Sequence, residues 1–78
     1  MSLHRIRIYI NAAAAPARYP VFYSRRGTGP CYRWLYDEEQ KRWRSSRVRL
    51  DAPLRSLRSA HSRVPEALRN ELLAHYED

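Results

Sequence analysis

Arginine interleaved with tyrosine and tryptophan is the pattern in this chain that bears on chemistry. Between Tyr19 and Trp43 the sequence places four Tyr and two Trp among Arg residues. A guanidinium fork matches phosphate and carboxylate oxygens. An aromatic ring stacks on a base when exposed and fills a core when buried. The chemistry on offer is recognition of a polyanion, with Arg26, Arg33, Arg42, Arg44 and Arg47 as candidate binding residues.

Other constellations are poorer. His4, His61 and His75 are scattered, and none has a second histidine or a cysteine at i+3 or i+4, so no metal site is expected. Cys31 is the single cysteine, which excludes an intramolecular disulfide and a cysteine metal cluster. In a strand it reads as packing, although an arginine-rich setting would lower its pKa and favour thiolate chemistry. Arg26-Gly27-Thr28-Gly29-Pro30 lacks the glycine spacing and the Lys of a phosphate loop and reads as a hairpin turn. Asp37, Glu38 and Glu39 cluster in a polar turn, where carboxylates are solvated rather than tuned for catalysis. No catalytic group and no cofactor is indicated.

The charge balance has a direction. The 78 residues carry a net charge of +7, with 11 basic against 3 acidic residues up to Arg49 and 4 against 5 after it. The positive field therefore belongs to the N-terminal two-thirds, which favours an acidic or polyanionic partner. Of the 15 basic residues 14 are Arg, a bias that GC-rich coding also produces. The first ten residues, MSLHRIRIYI, lack the apolar run of a signal peptide, and no stretch is long enough to span a bilayer. A cytoplasmic protein without membrane contact is the expectation. One domain over residues 1–78 is the sensible count, with strands within 3–50 and helical structure over 53–77. Its core is marginal at this size, so weak homodimerisation would help it.

Positioning the arginines is the task of four strands. Leu3 to Ile10 alternates, with Ile6, Ile8 and Ile10 on one side and Arg5, Arg7 and Tyr9 on the other. Asn11 to Arg18 reads as a connector interrupted by Pro16, long enough for the first strand to pair elsewhere than beside the second. Further strands follow at Tyr19–Arg26, Cys31–Tyr36 and Lys41–Leu50, joined by turns at 27–30 and 37–40. These turns predict Tyr36 opposite Lys41, Trp34 opposite Trp43, and Tyr23 beside Trp34. Val21, Tyr23, Tyr32, Trp34, Tyr36 and Trp43 then build an aromatic core face. Ser24, Arg26, Arg33, Arg42 and Arg44 share the opposite face with Phe22, Cys31 and Leu35, and Arg33 lies directly opposite Arg44. Like charges so placed destabilise a sheet unless an anion relieves them.

After the strands, Asp51-Ala52-Pro53 starts a helical turn with Leu54, Leu57 and His61 at helical spacing. Ser62 to Glu66 reads as the start of a second helix. Val64, Leu68, Leu72 and Tyr76 form its apolar stripe, with Arg69 and Asn70 facing water. The fold expected is α+β: a four-stranded, largely antiparallel sheet with one face covered by a C-terminal amphipathic helix. The function expected is that of a small non-enzymatic binding module, engaging nucleic acid through the arginine-rich sheet face. The alternative is an accessory module that docks on an acidic protein surface or within a larger complex.

Overall fold

Four strands in meander order form the body of an antiparallel sheet: β1 (Ile6–Asn11), β2 (Phe22–Arg26), β3 (Cys31–Asp37) and β4 (Arg42–Val48). A short β5 (Leu57–Ser59) adds to the far edge beside β1, giving the order β4-β3-β2-β1-β5. A 3-10 turn (His61–Arg63) leads into the C-terminal helix α1 (Glu66–His75). The computed structural model describes residues 3, 5–11, 18–49 and 57–77. This is the α+β arrangement the patterning predicts, with one helix on one face of an antiparallel sheet.

The alternation of β1 sends Ile6, Ile8 and Ile10 into the core and leaves Arg7 in water. They meet Leu3, Phe22, Trp34, Trp43, Ala60, Leu68 and Leu72 in one apolar cluster. Leu68 and Leu72, four apart on α1, lose all solvent contact, while Arg69 and Asn70 stay exposed, as the stripe requires. Tyr19, Tyr36, Trp43 and Phe22 close one end of the cluster. Tyr19 stacks on Tyr36 with centroids 3.9 Å apart, and Phe22 meets Trp43 edge-on at 5.7 Å.

Several expectations are corrected. β1 pairs directly with β2, Ile8 opposite Ser24 and Tyr9 opposite Tyr23. Leu57 belongs to β5 rather than to a helix, paired with Asn11, and His61 opens the 3-10 turn. The helical start at Asp51–Pro53 and Leu54, and the connector around Pro16, lie outside the described residues. Ser62 sits in the 3-10 turn, and α1 begins at Glu66 behind Pro65. Proline suits that boundary because its fixed φ costs nothing there and it has no N–H to satisfy.

Both hairpins differ from the predicted register, for separate reasons. In the β3–β4 hairpin Asp37 stays in the strand, opposite Arg42. Its Oδ1 accepts hydrogen bonds from the backbone N–H groups of Glu39 (3.0 Å) and Gln40 (3.1 Å). Lys41 takes a positive φ of 57° and closes the loop. The loop is therefore 38–41, and each β3 residue pairs two positions further along β4: Tyr36 with Trp43 and Trp34 with Ser45. A slide of two keeps every side chain on its predicted face.

The β2–β3 hairpin has the larger consequence. Arg25 pairs with Cys31, and the turn between them is held by Gly29 N–H donating to Arg26 O at 2.9 Å, with Gly27 at φ 54°. The odd number of intervening residues inverts β2 relative to the prediction. Phe22 and Ser24 enter the core, and Tyr23 turns to the opposite face. Ser24 is fully buried, with partners: the Trp34 Nε1–H donates to its Oγ at 2.8 Å, and the Tyr76 hydroxyl lies 2.8 Å from the same atom. One small polar side chain thus links β2, β3 and the end of α1.

Candidate nucleic-acid interface

With β2 inverted, the sheet has a core face under α1 and an opposite face against which no described helix packs. Following the register across that opposite face gives four rows. Arg7, Arg25, Cys31 and Val48 form one. Ser59, Tyr9, Tyr23, Arg33 and Ser46 form the second. Leu35 and Arg44 lie in the third, and Asp37 and Arg42 in the fourth. Neighbouring columns are about 4.8 Å apart and successive rows about 7 Å, the ordinary spacings of a pleated sheet.

Arg7, Arg33 and Arg44 are exposed; Arg25, Tyr9 and Tyr23 are partly so. Arg25 bends toward its own hairpin, its Nε–H donating to Gly29 O at 2.8 Å. Arg44 donates to Gln40 Oε1 at 2.8 Å and sits 3.8 Å from the Asp37 carboxylate. Among the described residues Asp37 is the carboxylate placed by its strand on this face, opposite Arg42, whose guanidinium turns to Glu71 of α1 and leaves Arg7, Arg25, Arg33 and Arg44 there. Leu35, 42% exposed, is the large apolar side chain left in water here.

The five candidate arginines do not form one surface. Arg33 and Arg44 share the face opposite the helix, but Arg33 faces Tyr23 and Ser46 while Arg44 faces Leu35, so they are not opposed. The arginine pair that stands directly opposite is Arg7 with Arg25. Arg26 belongs to the helix side by register, where its guanidinium lies 5.6 Å from the Tyr76 ring centre and donates to Tyr76 O at 3.0 Å. It closes the C-terminal end of α1, where a cation meets unpaired carbonyls. Arg42 lies on the face opposite the helix by register, paired with Asp37 on edge strand β4, but its guanidinium reaches Glu71 of α1 through an ion pair at 3.0 Å. Arg47 is exposed on the helix side, opposite Tyr32.

Arg7, Arg25, Tyr9 and Tyr23 are not among the candidates that the sequence singles out. A signal for Tyr23 is present: in the alternating Phe22-Tyr23-Ser24-Arg25, the only Phe has the stronger claim to the core. Arg7 and Arg25 become legible only with knowledge that β1 lies beside β2.

Cys31 lies in the upper row of this face but is 2% exposed, packed between neighbours. Burial raises its thiol pKa above the ordinary value, and the Arg25 charge offsets this only in part. Cys31 is thus the packing residue its strand position suggests, and desolvation outweighs the arginine field that would favour a thiolate. On the helix side, His75 meets Tyr32, Trp34 and Tyr76 edge-on at 4.4, 5.3 and 4.8 Å. Desolvation there lowers its pKa below the usual histidine value. No cluster of three His, Cys, Asp or Glu side chains among the described residues is arranged to hold a metal ion. No described helix is long and apolar enough to cross a membrane. Comparison with known proteins finds no matching family, no matching curated protein and no matching solved structure.

Proposed function

We propose that this chain is a small non-enzymatic module that binds nucleic acid across the sheet face opposite α1. The observation that carries the reading is the one-sided charge: Arg7, Arg25, Arg33 and Arg44 on that face against the Asp37 carboxylate among the described residues. The arginines stand on four adjacent strands, so their spacing is set by the sheet rather than by flexible loops. A rigid basic grid suits a chain of phosphates and positions it without reading sequence. The directly opposed Arg7 and Arg25 support the same reading, because an anion between them relieves a repulsion the fold alone retains.

Exposed Leu35 beside Arg44 favours the second reading, docking on an acidic protein surface, since protein interfaces bury apolar anchors. Titration of the protein with labelled DNA and RNA oligonucleotides at rising salt, against poly-glutamate as competitor, separates the two. Nucleic-acid binding predicts affinity that falls linearly in log–log form with salt, by about 0.7 to 0.9 per phosphate contacted. It also predicts that unlabelled nucleic acid displaces the probe at far lower charge concentration than poly-glutamate. Equal displacement by both polymers, or no binding at low salt, rejects it.

A further inference from the structure

We infer that the nucleic acid accommodated by this face is single-stranded, with Tyr9 and Tyr23 as stacking platforms for two neighbouring bases. The inference rests on the nucleic-acid reading and goes beyond it by naming the form of the ligand. Phosphate contacts alone call for cations, and the arginines supply them. They do not call for aromatic rings in the middle of the cationic grid. Tyr9 and Tyr23 are direct cross-strand partners on the face opposite α1, at the centre of the sheet, and each keeps part of its surface in water. Arg33 continues the same row on β3. A guanidinium plane also stacks on a base, so the row Tyr9-Tyr23-Arg33 offers three adjacent planar groups.

In a duplex, base faces are already stacked on one another and only edges and phosphates can be reached. A ring platform gains from a ligand whose bases are free to splay out, which is a single strand. The cations lie where a strand's backbone would run: Arg7 and Arg25 one row to one side of the tyrosines, Arg44 one row to the other and beyond Arg33. The core has no need of these two rings. Trp34, Trp43 and Phe22 fill the helix side, and neither Tyr9 nor Tyr23 belongs to that cluster.

The test compares three labelled probes on the unaltered protein by fluorescence anisotropy. One is oligothymidylate of about 12 nucleotides, a length within the ~4–16 that a small single-strand-binding fold covers. The second is an abasic strand of the same backbone length, and the third a duplex of the same length. Oligothymidylate is expected to bind at least about tenfold tighter than the abasic strand, since each stacked base contributes about fivefold to a hundredfold. Equal affinity for these two overturns the stacking inference and leaves phosphate binding standing. A duplex that binds as tightly as oligothymidylate also overturns it. Failure of all three probes to bind at low salt overturns the stacking inference and the nucleic-acid reading together. Tyr9→Val and Tyr23→Val keep strand propensity and remove the ring. Each should weaken oligothymidylate by about fivefold or more and leave the abasic strand unchanged. Equal losses on both probes would show that the rings act only through the fold.

Discussion

Ser24 shows how much can rest on one residue in a domain this small. Its hydroxyl is buried between Trp34 Nε1–H and the Tyr76 hydroxyl, both at 2.8 Å. Ser24→Ala leaves the buried indole donor unmatched and is expected to lower the unfolding free energy by about 1–3 kcal/mol in urea titrations. Placed in a Trp34→Phe background, where that donor is already gone, the same change should cost clearly less. Equal costs in both backgrounds would show that the bond contributes nothing of its own. The tryptophans of this core are legible from residue type and spacing. The role of Ser24 is not, because a serine in a strand gives no sign of its face until the neighbouring turn is known. His75 makes a second residue-scale case. Its ring is desolvated by Tyr32, Trp34 and Tyr76, so its pKa in the fold lies below the ordinary histidine value of 6.5. The unfolded chain then takes up a proton more readily as pH falls below that value, so stability is highest above it and declines on acidification. The effect is small, because the residue is exposed. Urea midpoints at about pH 8 and about pH 5 should differ more for the unaltered protein than for His75→Phe. Parallel behaviour of the two would remove His75 from the account.

Among the elements, α1 is the most readable and β2 the least. An apolar stripe at intervals of four over Val64, Leu68, Leu72 and Tyr76 has one physical reading, a helix with one face to cover, and the structure places Leu68 and Leu72 at zero exposure. The ion pair between Arg42 and Glu71 ties the same helix to the sheet edge, but exposed pairs contribute about 1 kcal/mol at most. Burial of the leucines therefore holds the helix in place. Leu72→Ala is expected to cost about 2–5 kcal/mol, whereas Arg69→Ala on the wet side should stay within about 0.5 kcal/mol. Thermal or urea unfolding checks both, and similar losses for the two would mean that α1 does not cover the core. Strand β2 is harder because residue identity supplies a single cue, the lone Phe22. The other residues alternate acceptably in either phase, and the length of the following loop decides which phase is buried. The β3–β4 loop begins and ends one residue later than the residue types suggest, which slides partners but preserves faces. The β2–β3 loop differs by a single residue, which exchanges Phe22 for Tyr23 at the core. Asp37 explains the first difference. A carboxylate that accepts from two N–H groups of the following turn can itself remain in the strand, although its type suggests the turn proper.

At the scale of the whole molecule the fold divides its work between two sides of one sheet. The helix side holds the apolar cluster and Arg26, bound to Tyr76, and Glu71 of α1 draws Arg42 over from the other face. The other side holds Arg7, Arg25, Arg33 and Arg44 around Tyr9 and Tyr23. The excess of positive charge in the N-terminal two-thirds is plain in the sequence, but its division between the two sides is not, since that depends on the parity of a turn and on β1 lying beside β2. This division makes stability and binding separable at Arg7. Arg7 is exposed and directly opposite Arg25, and like charges so placed oppose folding. Arg7→Glu converts the repulsive pair to an attractive one without touching the core, so the urea midpoint should rise, by an amount worth about 0.2–1 kcal/mol. The same change removes a cation from the proposed binding face and sets a carboxylate there. Affinity for a single-stranded oligonucleotide should fall, and the log–log salt slope should flatten by about 0.7 for each phosphate that the protein no longer neutralises. A variant that gains stability and loses binding is hard to explain by damage to the fold, which moves both in the same direction. Arg47→Glu, on the helix side, serves as the charge-matched control and should leave the slope nearly unchanged. If Arg7→Glu and Arg47→Glu weaken binding equally, the attraction is a property of net charge alone, and the face opposite the helix has no special claim to the ligand.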